Sequence, residues 1–186
     1  MAINFNNNSS NFQSRPSGLI HHYNASLDTH SAYTVSNLPS DNGIRFIQLD
    51  FPMLAVSGSS APRYYMRFGS GSVDSSNNYR FGAGYFDGGG NVHAQHNTSY
   101  LQIVNQSHTN SNHRECGVLQ LHRVGGTGHW SILAQFADTY YSPICYQCTG
   151  FYFNNNLLHI KLIVNSGSFR YGSRMLVSYS EGFDDF

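Results

Sequence analysis

Apolar positions along this chain come in short runs, cut by Gly, Asn, Ser and Pro, and inside several runs they alternate with polar ones. Leu119 and Leu121 share one side of an extended segment, while Gln120 and His122 share the other. Met175, Val177 and Tyr179 alternate in the same way with Arg174, Leu176 and Ser178. A period of two belongs to a strand with one buried and one wet face, as in antiparallel sheets. No stretch of a dozen residues carries apolar positions at three-and-four spacing, so no helix is predicted.

The pattern predicts strands at Ala32–Leu38, Ile44–Val56 (interrupted at Pro52), Arg63–Phe68, Asn78–Tyr85, Ser99–Asn105 and Gly117–Val124. Further strands are predicted at Trp130–Phe136, Tyr146–Phe153, Leu157–Val164 and Met175–Tyr179. Turn signals separate them, among them Asp41-Asn42-Gly43, Ser57-Gly58-Ser59, Asp87-Gly88-Gly89-Gly90, Asn154-Asn155-Asn156 and Asn165-Ser166-Gly167. Short strands at close, fairly even spacing predict two packed sheets. The fold class expected is all-β: an antiparallel β-sandwich, jelly-roll-like, with an extended N-terminal arm.

The 186 residues suffice for one domain with a full core. Residues 1–30 read as an extended polar arm, 31–181 as the sandwich, and 182–186 as a short acidic, aromatic tail. Half of the first eighteen residues are Asn or Ser, with isolated Ile3, Phe5 and Phe12, too little apolar surface to offset the entropy of ordering. Such an arm is expected to need a neighbour to hold it.

Only 11% of residues are charged, against the ~25% usual in soluble proteins, so amides and hydroxyls must clothe the surface. With ten basic and ten acidic residues the net charge is zero, and such a chain resists close packing against copies or partners only weakly. Lys161 is the single lysine, so the basic patch needed to neutralise phosphates is missing and no nucleic-acid partner is expected. No apolar run approaches the ~18 residues of a membrane-spanning helix, and Met1–Ser10 lacks the pattern of a signal peptide. Membrane insertion is not expected. Without export, Asn-x-Ser/Thr triplets such as Asn24-Ala25-Ser26 and Asn97-Thr98-Ser99 follow from composition alone.

Candidate chemistry is thin. Cys145-Tyr146-Gln147-Cys148 has zinc-knuckle or redox spacing, and Cys116 with His129 or His159 would be needed to complete a tetrahedral site. Buried or casual thiols are the preferred reading, over a metal site or a disulfide. Histidines cluster at His21-His22, His93 with His96, and His108 with His113, but strand neighbours point to opposite faces, and surface positions near strand ends are preferred. The run Gly88-Gly89-Gly90 precedes no helix and reads as a turn. Carboxylates such as Asp50, Asp74, Asp87 and Glu115 show no spacing that selects a pair for glycosidase chemistry. No enzymatic activity, metal or cofactor is expected.

Tyr and Phe number thirteen each, with clusters at Tyr64-Tyr65, Tyr140-Tyr141 and Phe151-Tyr152-Phe153. Adjacent strand residues face opposite ways, so at least one of each pair must look away from its own sheet's core. Subunit or partner contact, cover by another part of the domain, and glycan contact all fit. Tyr64, Tyr65, Tyr140 and Tyr141 are the expected exposed interface aromatics.

Leu38-Pro39-Ser40 leads into Ile44-Arg45-Phe46-Ile47-Gln48-Leu49-Asp50-Phe51, followed by Tyr65-Met66-Arg67-Phe68-Gly69-Ser70-Gly71 and Asn78-Tyr79-Arg80. Gly117-Val118-Leu119-Gln120-Leu121, Ile160-Lys161-Leu162-Ile163-Val164, Ser166-Gly167-Ser168-Phe169 and Gly172-Ser173-Arg174-Met175-Leu176-Val177-Ser178-Tyr179 complete the series. In this order, across roughly residues 35–180, they resemble a β-sandwich module of tailed-phage virion proteins. The resemblance implies a head domain on tail fibres, tail appendages or capsid surfaces, often trimeric, and brings no catalytic residue with it. The long stem that usually precedes such a head on a fibre is replaced here by a short polar arm. The expectation is therefore a non-enzymatic capsid decoration or head-surface protein in the virion, assembled in the host cytoplasm. It would dock on other virion proteins through Ile3, Phe5, Phe12 and Arg15 and form a homo-oligomer, expected to be a trimer. The alternative is a receptor-binding head whose loops Ser57–Pro62, Asp87–His96 and Asn105–His113 touch a host-surface glycan or protein. A capsule-degrading enzyme ranks third.

Overall fold

The computed structural model describes residues 20–38, 44–57, 63–70, 72–86, 91–104, 114–125, 128–138, 145–154 and 157–181. Among them are fourteen strands and no helix. They are β1 (Ile20–Ser26), β2 (Ala32–Val35), β3 (Ile44–Leu54), β4 (Val56–Ser57), β5 (Tyr64–Gly69), β6 (Tyr79–Phe86) and β7 (Asn91–Thr98). There follow β8 (Leu101–Val104), β9 (Glu115–Arg123), β10 (Trp130–Asp138), β11 (Cys145–Tyr152), β12 (His159–Val164), β13 (Ser168–Phe169) and β14 (Arg174–Glu181).

Eight strands form one sheet in the order β1-β14-β3-β9-β10-β11-β6-β7, and four form a second in the order β2-β12-β5-β8. Every pairing is antiparallel. The small β4–β13 ribbon stands apart from both sheets. The chain passes back and forth between the sheets, and the fold is the expected β-sandwich.

Alternation decides what lies between the layers. From the large sheet come Ile47, Leu49, Phe51, Leu119, Leu121, Trp130, Ile132, Ala134, Phe136, Tyr146, Cys148 and Tyr152. The small sheet meets them with Tyr64, Met66, Phe68, Leu101, Ile103, Ile160, Leu162 and Val164. Phe51 and Phe136 lie 5.3 Å apart between ring centroids, and Phe68 packs against Tyr152 at 5.5 Å. The layers come closest where β8 crosses β11 and β6. A Cβ on Gly150 would stand 2.5 Å from the Arg80 carbonyl oxygen and 3.1 Å from Leu101 Cδ1, so this inward position has room only for glycine.

Three expectations change. The interruption predicted at Pro52 is absent, because β3 runs through it to Leu54. Pro52 sits in a bulge where the register slips against both β9 and β14, a place where the missing N–H costs no ladder bond. The strand breaks instead at Ala55, whose N–H donates to Ser173 Oγ and whose carbonyl accepts from Ser173 Oγ, both at 3.1 Å. The arm boundary at residue 30 also moves. Ile20–Ser26 is a strand of the large sheet on β14, and Ala25 and Leu27 belong to the core. Finally, most of the loop expected at Asp87–His96 is the edge strand β7, paired with β6.

Candidate functional site

The outer face of the large sheet is read row by row from its register. One row runs Phe46–His122–Ser131–Phe151–Arg80 across β3, β9, β10, β11 and β6. The next is Gln48–Gln120–Leu133–Thr149–Gly82, and the one after it Asp50–Val118–Gln135–Gln147–Gly84. Gln120 Nε2 donates to Gln48 Oε1 at 3.2 Å, and Gln48 Nε2 donates to Asp50 Oδ1 at 3.0 Å. The middle of this face is thus rich in amides, with the Asp50 carboxylate and the apolar Leu133 and Val118 set among the glutamines.

Toward the β9–β10 hairpin the face hollows into a cleft of about 690 Å³. Gly82, Thr149 and Ser131 lie on it, with Val124, His129, Arg80, Phe151 and Phe153 around them. A Cβ on Gly82 would meet no atom within 4 Å, so glycine leaves open space there. Phe153 N–H donates to the Asn78 carbonyl at 2.9 Å, which carries the β11 ladder one step further and puts Phe153 on the same face as Phe151.

The aromatic groups of the cleft converge on Phe153. The Arg80 guanidinium carbon lies 4.9 Å from its ring centroid, His129 meets it edge-on at 4.9 Å, and Phe151 lies 6.1 Å away at 29°. Guanidinium over a ring is an attractive arrangement that leaves the in-plane N–H donors free to bind. Phe151 is 46% exposed, which makes it one of two large exposed hydrophobics among the described residues, the other being Tyr171. The lining holds an arginine, a histidine and no carboxylate.

A second network lies on the opposite side of the same strands. Tyr79 and Tyr152 stack at 5.0 Å, and Tyr152 Oη donates to Asp74 Oδ2 at 3.3 Å. Asp74 also accepts from Ser76 N–H and Asn78 Nδ2, each at 2.7 Å. Burial pulls the Asp74 carboxyl upward, but these hydrogen bonds outweigh it and hold the group below the usual carboxylate range. Burial pushes the Tyr79 and Tyr152 hydroxyls well above their ordinary value, with the Asp74 charge adding to it. This network ties the fold together.

The thiols do not converge. Cys145 and Cys148 stand three residues apart on β11 and face opposite ways: Cys145 is exposed, Cys148 buried in the core. Cys116 and Cys145 share a cross-strand row with Ala137 between them, two strand spacings or about 10 Å apart, beyond disulfide reach. All three are free. His129 belongs to the cleft, whereas His159 lies on β12 of the other sheet. Among the described residues no three metal-ligating side chains gather.

The expected interface aromatics divide. Tyr64 is fully buried and stacks on Phe169 at 6.1 Å, which corrects its assignment as exposed: on β5 the inward positions begin with Tyr64. Tyr65 faces the other way, half-buried, its ring 4.4 Å from Tyr100, so part of the same domain covers it. Tyr140, Tyr141, Ile3, Phe5, Phe12 and Arg15 lie outside the described residues. The outward rings that line the cleft are Phe151 and Phe153, from a cluster whose alternation was already visible in the sequence. The candidate carboxylates are scattered: Asp50 is on the outer face, Asp74 in the β5–β6 connection, Glu115 buried opposite Asp138, and Asp87 outside the described residues.

Fold and site together define an antiparallel β-sandwich with an open aromatic cleft on the face of its larger sheet. No family model, curated protein or solved structure matches the chain.

Proposed function

We propose that this chain is a non-enzymatic structural protein of a tailed-phage particle, a head-surface decoration protein that works by packing against its neighbours. The observation that carries this reading is the amide-clad outer face, with Gln48, Gln120, Gln135 and Gln147 in adjoining rows. Amides are cheaper to desolvate than charges and exchange their hydrogen bonds readily with a partner surface. The order of sequence motifs over residues 35–180 supports placing it on a phage. Residues 1–19 join the sandwich at β1, an edge strand of the large sheet, and from there they reach a neighbouring subunit, with Ile3, Phe5, Phe12 and Arg15 as contacts. Three copies make the working unit.

Particles purified with and without the protein test this. A decoration protein is present in fixed stoichiometry, and its loss lowers the heat stability of the heads while adsorption to cells stays normal. Absence of the protein from purified particles overturns the reading.

A receptor-binding head on a tail appendage is the second reading, and the exposed Phe151 beside Arg80 favours it. In that case, loss of the protein abolishes adsorption and leaves the heads intact.

A further inference from the structure

We propose that the cleft of Arg80, His129, Phe151 and Phe153 binds an acidic sugar, a uronic-acid residue within a glycan chain. The inference goes beyond the assembly role above and holds for either location on a particle.

Charge selects the sign of the ligand. Arg80 is the one permanent charge in the lining, no carboxylate lines the cleft, and among the described residues none is paired with the guanidinium. Its stacking on Phe153 fixes the planar group while its edge donors remain available to a carboxylate, which guanidinium grips bidentately.

Shape selects a sugar over a peptide. The cleft lies over β10, β11 and β6, each of which is paired on both sides, so their backbone N–H and C=O groups are used by the ladder. An extended peptide, which gains its affinity chiefly from adding to a free strand edge, finds none there. What the site offers instead is a flat exposed ring at Phe151, hydroxyl side chains at Ser131 and Thr149, and open space above Gly82. A pyranose fits this set: its C–H face lies on the ring, its hydroxyls meet Ser131 and Thr149, and its carboxylate meets Arg80.

The test is calorimetric titration of the full chain with a tetrasaccharide of alternating glucuronic acid and N-acetylglucosamine, alongside its carboxyl-reduced, neutral form. The acidic form is expected to bind about tenfold more tightly than the neutral one. Arg80→Gln should abolish that preference and leave the weak neutral binding in place. Phe151→Ala should weaken both forms, and Gly82→Leu should block both. Circular dichroism and the thermal midpoint of each variant report whether it has kept the fold. No binding of the acidic form by the folded wild type overturns the proposal, as does equal binding of the two forms. Equal or tighter binding of a tetraglutamate peptide also overturns it. A negative titration with the protein present on particles removes the sugar site and leaves the assembly role standing.

Discussion

Tyr79 and Phe68 are hydrogen-bonded twice across the sandwich. The Phe68 N–H donates to Tyr79 Oη at 2.8 Å, and Tyr79 Oη has the Phe68 carbonyl at 3.1 Å and the Asp74 carbonyl at 3.0 Å as acceptors for its proton. Phe68 belongs to β5 of the small sheet and Tyr79 to β6 of the large one, so a single hydroxyl fastens the two layers at the connection between them. Tyr79→Phe keeps the ring and its stacking on Tyr152 but strands buried backbone groups. It should lower stability by roughly 1–3 kcal/mol, measured by urea unfolding.

Asp74 sets the acid side of stability. Its pKa is lower in the folded protein than unfolded, so folding favours the ionised form. The contribution is complete above the ordinary value of 3.8 and disappears as the pH falls through the lowered folded value. Asp74→Asn should therefore show a shallower loss of stability below pH 3.8 than the wild type, in denaturant titrations run across that range. Parallel profiles would show that Asp74 does not carry this pH dependence.

The thiols should separate by reactivity. In the native protein, Ellman's reagent should modify exposed Cys145 first, half-buried Cys116 more slowly, and Cys148 only on unfolding. Burial pushes the Cys148 thiol up from 9.0 to about 12. The neutral thiol is thus favoured by folding, a stabilisation complete below pH 9 and lost as the pH rises toward 12. Cys148→Ala should flatten the alkaline limb of the stability profile.

Gly150 and Gly82 make a matched pair on neighbouring strands. Gly150→Ala forces a methyl to 2.5 Å from the Arg80 carbonyl and 3.0 Å from Phe81 Cβ and should cost roughly 1–3 kcal/mol. Gly82→Ala places its methyl in open space and should leave stability within about 0.5 kcal/mol of the wild type. Thermal unfolding of the two variants decides it, and equal midpoints would mean that Gly150 is not in close contact with the neighbouring strand β6.

Ten predicted strands match strands of the structure, some with shifted ends, because most bury one face and record it as alternation, while β8, buried throughout, reads as a short apolar run between turn signals. Strands β1, β7 and the two-residue β13 went unseen. Asn91-Val92-His93-Ala94-Gln95-His96-Asn97-Thr98 offers only Val92 and Ala94 as apolar positions, too short a run to stand out, and β7 pairs with β6 at the edge of the sheet. Pro52 misled because a proline in a strand marks either a break or a bulge, and only the neighbouring register decides which.

For the site, local pattern went halfway. In Phe151-Tyr152-Phe153, alternation alone puts the outer two rings on one face and Tyr152 on the other. Which face is wet, however, depends on where the second sheet lies.

The sequence alone determined the layer architecture, since period-two burial and turn residues are local properties of neighbouring positions. It also determined a surface poor in charge, with no net charge. Tertiary structure decided that Tyr64 is core and Phe151 is surface, that Cys145 and Cys148 part company, and that Arg80 meets Phe153 and His129. Those outcomes depend on strand order and register between segments distant along the chain, which alternation within any one strand does not encode.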